Sequence, residues 1–105
     1  MQLQPIVYVT DIARSTRWWT TLLDREPTMT SDAWTSFDLG GGHLALHHSD
    51  NAGAGGGSVE LSLVAEDLEA VAARVPPTRP IRDEPFGRSL QVTDPDGLVV
   101  QVNQH

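Results

Sequence analysis

The chain repeats one hydrophobic pattern, in which a short apolar strand leads into an aspartate and then into an amphipathic helix. In the first copy the strand runs into Asp11, and the apolar spacing predicts a helix over about Ile12 to Asp24. In the second copy the strand runs into Asp67, and a helix is predicted over about Leu68 to Val75. Both aspartates are good N-caps, because their side chains accept hydrogen bonds from the free amides of the first helical turn. Pro76-Pro77 ends the second helix, since proline disfavours helical geometry in the residue before it.

Three strand candidates follow each helix, so both halves have the element order βαβββ. Turn signals separate the strands, and the clearest are Gly40-Gly41-Gly42 and Asp94-Pro95-Asp96-Gly97. The copies align with a constant offset, so that Gln4 corresponds to Glu60 and Ala45 to Gln101. The predicted strands after the helices are 27–30, 34–39 and 43–48 in the first half, and 80–84, 89–93 and 98–103 in the second.

The repeat predicts an α+β fold class and one domain over residues 1–105. It contains module one (1–49), a Gly-rich linker (50–57) and module two (58–105). Strand side chains alternate between the two faces of a sheet, so each module has an apolar face that packs under its helix. That apolar set includes Leu98. The opposite face, which includes Ile6, Tyr8 and Ser89, is mixed and polar, and this suits either solvent or a ligand cleft. We define a candidate set on this face: Gln4, Trp34, Asp38, His47, Glu60 and Gln101.

Composition narrows the partners that this chain is expected to bind. Seven Lys and Arg against fourteen Asp and Glu give a net charge of −7, and no basic cluster is present to neutralise phosphates. We therefore expect neither nucleic acid nor membrane as a partner. No apolar run approaches the ~18 residues that a membrane span requires. Cysteine is absent, which excludes disulfides and a thiol nucleophile, and we expect a cytoplasmic protein.

Four stretches of the chain, in order, resemble the vicinal oxygen chelate superfamily of glyoxalase I, bleomycin-resistance proteins and extradiol dioxygenases. They are VYVTDIARSTRWWTTLLD, VELSLVAEDLEAVAARV, EPFGRSLQVTDPDG and the terminal strand, which together cover nearly the whole chain. The resemblance implies paired βαβββ modules that form a curved mixed sheet around a cleft, with the helices on the outer face, commonly in a homodimer. Trp18 and Trp19 stand where the family usually has Phe-Tyr, and we expect them in the core or a subunit interface.

In the family's enzymes a divalent metal is bound by His, Glu or Gln on the first and fourth strands of each module. The resemblance transfers those positions to Gln4, Ala45, Glu60 and Gln101. Ala45 has no donor atom and neutral amides are poor ligands, so we expect no metal cofactor. His47, two residues after Ala45 and on the same face, is the alternative donor. Without a metal the family's chemistry has no electrophile, and Glu60 is then the one candidate general base.

Three functional hypotheses follow from these residues. The first is a metal-free, dimeric binding protein of the bleomycin-resistance type, without catalytic activity, whose candidate set holds an aromatic or cationic drug or metabolite. The second is a metal-dependent lyase, isomerase or dioxygenase that uses Gln4, His47, Glu60 and Gln101 as metal ligands. The third is a non-catalytic scaffold or regulatory subunit.

Overall fold

The computed structural model describes residues 2–50, 61–85 and 87–105, which fall into two βαβββ modules. Residues 51–57 of the predicted linker, and Glu60, lie outside the described residues. The predicted α+β class and the paired βαβββ modules are confirmed. Module one consists of β1 (Ile6–Val9), α1 (Ile12–Leu23), β2 (Met29–Thr30), β3 (Trp34–Asp38) and β4 (His43–His48). Module two consists of β5 (Leu61–Val64), α2 (Leu68–Arg74), β6 (Arg79–Glu84), β7 (Gly87–Thr93) and β8 (Val99–Gln104).

In each module the last strand lies inside the sheet, beside the first strand. The strand orders are β1-β4-β3-β2 and β5-β8-β7-β6. The pairs β1–β4 and β5–β8 are parallel, and the other pairs are antiparallel. Ile6 pairs with Ala45 in the first sheet, and Ser62 pairs with Gln101 in the second. These registers confirm that Ala45 and Gln101 are structurally equivalent.

Both helices begin where the sequence predicts. The Asp11 carboxylate accepts a hydrogen bond from the Arg14 amide at 3.0 Å, and the Asp67 carboxylate accepts one from the Ala70 amide at 3.2 Å. The ends fall one residue earlier than predicted, because Asp24 takes a left-handed conformation with φ of 52° and Val75 is extended. Neither α1 nor α2 is long and apolar enough to cross a membrane.

Each helix packs on one face of its own sheet and forms a separate core there. On α1, Ser15, Trp19 and Leu22 are buried, which confirms the predicted core position of Trp19. Trp18 is half-buried, and its ring meets that of Trp19 edge-on at 5.1 Å. The buried apolar strand residues under the helix in module one are Val7, Val9, Phe37, Leu44 and Leu46; in module two they are Leu90, Val92, Val100 and Val102. Ala45 is also buried, but it lies on the opposite face of its sheet.

Leu98 and Ser89 also depart from the expected alternation of buried and exposed residues. The prediction that Leu98 belongs to the core is wrong, since it is 36% exposed. It lies in the turn before β8, where its amide donates to the Asp94 carboxylate at 2.8 Å and its carbonyl accepts from the Asp94 amide at 2.9 Å. Ser89 points to the polar face as expected but is fully buried, because Arg79 and Glu84 hydrogen-bond to its hydroxyl.

An ion pair joins α2 to β7 in module two. The Arg88 guanidinium donates to both carboxylate oxygens of Glu69, at 2.5 and 2.9 Å. The Gln104 side-chain oxygen accepts from Arg88 at 3.1 Å and from the Leu68 amide at 2.9 Å, which adds β8 to the network. The hydrogen bond from Arg88 lowers the pKa of Glu69 from 4.5 to about 2.

We predict that the contribution of Glu69 to stability depends on pH. Because its pKa is lower in the folded chain, the ionised carboxylate stabilises the fold above about pH 4.5, and this stabilisation is lost as the pH falls towards 2. Glu69→Gln should therefore lower the thermal unfolding midpoint at pH 7, and the difference from wild type should shrink between pH 4.5 and 2. Glu66→Gln, at an exposed position one residue before the cap, is the control. A Glu69→Gln difference that stays constant from pH 7 to 2 would contradict the assignment.

A second prediction concerns Gly87, which opens β7 with φ of +147°. A Cβ at this position would overlap the backbone oxygen of Gln104. Gly87→Ala should therefore lower the free energy of unfolding by about 2 kcal/mol or more, since the strained conformation and the clash act together. Gly41→Ala is the matched control, because a Cβ there meets nothing within 4 Å and should change stability by less than about 0.5 kcal/mol. Urea denaturation measures both, and equal effects would refute the packing argument.

Candidate ligand-binding faces

The side of the module one sheet opposite α1, its helix-free face, carries three aromatic side chains in one row. The strand registers pair Tyr8 on β1 with His47 on β4, and His47 with Trp34 on β3. The His47 ring centroid lies 5.7 Å from the Tyr8 ring and 5.7 Å from the Trp34 ring, and both contacts are edge-on. We call these three residues the aromatic row. Sequence alternation placed Tyr8 on this face but did not single it out as a binding residue.

Hydrogen bonds orient two of the three rings. The Trp34 indole Nε1 donates to the Ser36 hydroxyl at 2.5 Å. The His47 Nδ1 lies 2.9 Å from the His48 carbonyl oxygen, and because a carbonyl only accepts, Nδ1 carries the hydrogen. In the neutral imidazole Nε2 is then the acceptor nitrogen. The row therefore combines flat aromatic surface with one hydrogen-bond acceptor.

The next row of the same face is apolar apart from Ser36. Ile6 pairs with Ala45, Ala45 with Ser36, and Ser36 with Met29. The small Ala45 is fully buried, whereas Ile6 is 45% exposed and Met29 is 54% exposed. Tyr8, in the aromatic row, is 55% exposed. Exposed apolar and aromatic side chains grouped on one face are typical of a binding surface.

The other members of the candidate set in module one lie apart from the aromatic row. The Asp38 carboxylate accepts from the Gly40 amide at 2.8 Å and so closes the turn after β3. Asp38 is four residues beyond Trp34, about 13 Å along an extended strand. Gln4 is exposed and precedes β1. Of the four predicted residues in module one, the structure therefore brings together Trp34 and His47.

The helix-free face of module two is polar where that of module one is aromatic. Gln101 on β8 pairs with Ser62 on β5 and with Gln91 on β7. Its side-chain amide nitrogen donates to the Asn103 side-chain oxygen at 2.9 Å. Asn103 occupies the position equivalent to His47, and its neighbour on β5, Val64, occupies that of Tyr8. This face therefore presents amide donors and acceptors.

A cluster that we call the arginine corner lies on the same face, at the β6 edge of the sheet, which is the edge farthest from β5. We define it as Arg79, Arg82, Glu84 and Ser89. The Glu84 carboxylate accepts from Arg82 Nε at 2.6 Å and from the Ser89 hydroxyl at 3.0 Å. The Arg82 hydrogen bond, and then that of Ser89, lowers the pKa of Glu84. Arg79 donates to the Ser89 hydroxyl at 2.8 Å. The sequence suggests Arg82 as a residue of the site rim, but the arrangement of the corner depends on the pairing of β6 with β7.

The donor set does not fit the divalent metal that the resemblance implies. Ala45 contributes no donor atom, and the Gln101 amide is engaged with Asn103. Glu60, the one carboxylate at these positions, lies outside the described residues. Within residues 2–50, 61–85 and 87–105, no group of three or more His, Asp or Glu side chains is arranged to hold a metal ion. We therefore derive no chemical step through a metal.

The chain is a duplicated βαβββ protein. Its two modules are related by an internal repeat, and each has one helix-free sheet face. The model of the Glyoxalase/Bleomycin resistance protein/Dioxygenase superfamily matches residues 2–102, and the chain belongs to this superfamily. The resemblance found in the sequence is thereby confirmed. Among curated proteins, no relative with significant sequence similarity was found.

Solved structures of similar fold include both binding proteins and an enzyme. A glyoxalase/bleomycin resistance protein from Catenulispora acidiphila has a TM-score of 0.80 and 24% identity, over 100% of this chain and 98% of that chain. The bleomycin-binding protein of Streptomyces verticillus, complexed with copper(II)-bleomycin, has a TM-score of 0.77 and 16% identity, over 100% and 96%. A lactoylglutathione lyase from Agrobacterium tumefaciens has a TM-score of 0.73 and 18% identity, over 99% and 92%. At these identities the likeness shows the fold alone.

Proposed function

We propose that this protein is a metal-independent binding protein of the bleomycin-resistance type, which sequesters an aromatic or cationic drug or metabolite. The aromatic row carries the proposal. Tyr8, His47 and Trp34 lie side by side on a helix-free face, and Ile6 and Met29 extend the apolar surface beside them. Membership of the superfamily supports a small molecule as the ligand, because a solved structure of similar fold is complexed with bleomycin.

The chemistry of the aromatic row favours a planar or cationic group. An indole or phenol ring stacks on flat heterocycles, and its π face attracts a cation with about 0.5 to 2 kcal/mol. The net charge of −7 acts in the same direction, because it draws cations towards the protein. We propose that the binding form is a cytoplasmic homodimer, as the family resemblance implies.

A metal-dependent lyase, isomerase or dioxygenase is the second candidate. The observation in its favour is His47, whose Nε2 is the acceptor nitrogen on the face that bears the family's metal positions. That function requires Gln4, Glu60 and Gln101 to complete the ligand set. The donor chemistry makes it the weaker proposal, since two of these three are neutral amides. Glu60 as a general base without metal remains a prediction from sequence.

We predict that substitutions in the aromatic row of module one weaken ligand binding, whereas substitution of the equivalent exposed position in module two does not. Chelator-treated protein is titrated by calorimetry with bleomycin and with ethidium, a planar aromatic cation. Trp34→Ala should weaken binding about tenfold, the loss expected when a stacked or cation–π contact is removed. Tyr8→Ala should act in the same direction and tests the row at a more exposed position.

Val64→Ala is the matched control, since Val64 is 69% exposed at the position in module two that corresponds to Tyr8. It should leave the dissociation constant within about twofold of wild type, and thermal melts establish that every variant is folded. Unchanged binding in Trp34→Ala and Tyr8→Ala would refute the aromatic row as the site. No heat with either probe, in an otherwise folded protein, would contradict the proposed function in favour of the scaffold hypothesis.

A further inference from the structure

We infer that Arg79 is an anion-binding residue, which receives the carboxylate of a small molecule on the helix-free face of module two. The site is distinct from the aromatic row and does not depend on it. Arg79, on β6, uses its two Nη nitrogens for hydrogen bonds to Pro80 O at 3.1 Å, to Ser89 O at 3.5 Å and to the Ser89 hydroxyl at 2.8 Å. These acceptors are all neutral.

No carboxylate of the described residues lies within ion-pair distance of the Arg79 guanidinium. The side chain is half-buried, and its Nε is buried without a hydrogen-bond acceptor in that part of the chain. Neutral oxygens satisfy donors but leave the charge of a partly desolvated cation uncompensated, which costs free energy. A ligand carboxylate would supply the missing charge and would accept from the Nη2 hydrogen that is not bonded to the Ser89 hydroxyl.

Glu84 does not fill this role, although it lies in the same corner. Its carboxylate is taken by Arg82 Nε at 2.6 Å and by the Ser89 hydroxyl at 3.0 Å. Arg82 and Glu84 therefore neutralise each other, and Arg79 leaves the corner with one net positive charge. The corner is therefore locally positive in a chain whose net charge is −7, and this local positive charge attracts anions to it.

A register shift in β6 places the two arginines together. Arg79 pairs with Gln91 and Arg82 pairs with Ser89, and the register shifts between them. Residues three apart on a regular strand point to opposite faces, whereas this irregularity turns both arginines to the helix-free face. Bulges of this kind re-aim side chains and are common beside functional sites.

The neighbours of Arg79 favour a carboxylate over a phosphate. Gln91 pairs with Arg79 on one side and with Gln101 on the other, so amide side chains extend from the arginine across the sheet. Amides add hydrogen-bond donors without adding charge. One guanidinium without an ion-pair partner matches the single negative charge of a carboxylate better than the charge of about −1.5 to −2 that a phosphate group carries at pH 7.

The test follows the arginine Nε–Hε signals of the full chain by ¹H–¹⁵N NMR. Butyrate, butyramide and sodium chloride are titrated into the protein separately, at equal ionic strength. Butyrate and butyramide are aliphatic, so neither is expected to bind the aromatic row. We expect butyrate to shift the Arg79 signal saturably, and butyramide to bind at least about tenfold more weakly. Arg79→Gln should weaken butyrate binding at least about tenfold, and Arg79→Lys should retain part of it.

Arg17→Gln is the control, because it removes one guanidinium from an exposed position on α1, outside the arginine corner, and should change butyrate affinity less than about twofold. Equal shifts with butyramide or chloride, or unchanged affinity in Arg79→Gln, would overturn the inference. Tighter binding of inorganic phosphate than of butyrate would overturn the carboxylate assignment. If aromatic cations fail to bind while butyrate binds through Arg79, the proposed function fails and this inference stands.

Discussion

One helix must cover each four-stranded sheet, and the rest of the structure follows from that constraint. The parallel pairs β1–β4 and β5–β8 require a crossover connection, which includes α1 in one module and α2 in the other. The helix buries the apolar side chains of one face, such as Phe37 and Leu90. The opposite face has no helix of its own module to pack against. Its side chains are therefore not constrained by helix packing within the module, and they are where the two modules differ.

The two helix-free faces have acquired different chemistry on the same framework. Where module one places Tyr8 and His47, module two places Val64 and Asn103. Where module one has the small, buried Ala45, module two has Gln101. The first face suits planar or cationic groups, and the second suits hydrogen-bonding groups and an anion.

Sequence reasoning predicted the fold well, because the fold depends on local signals. Apolar spacing, the caps Asp11 and Asp67 and the turn residues located both helices and the six strands that follow them to within about two residues. The internal repeat also gave the equivalence of Ala45 and Gln101, which the strand registers confirm.

The candidate site was predicted less completely, because it depends on contacts between strands. The turn from Asp94 to Leu98 is one residue longer than that from Leu39 to Gly42, so the third and fourth strands pair with a different offset in each module. In module one Ser36 pairs with Ala45. The repeat makes Val92 the equivalent of Ser36, but the residue that pairs with Gln101 in module two is Gln91, one position before Val92. The irregularity in β6 and the burial of Ser89 likewise have no marker in the local pattern.

The metal content of the purified protein tests the central claim most directly, since binding without a metal separates it from the superfamily's enzymes. Plasma mass spectrometry of protein purified without chelator should find well under one equivalent of Ni, Zn, Fe or Mn. The content should be the same in Glu60→Ala, which removes the strongest donor at the family's metal positions. Near-stoichiometric metal that Glu60→Ala releases would contradict the account and establish a metal site.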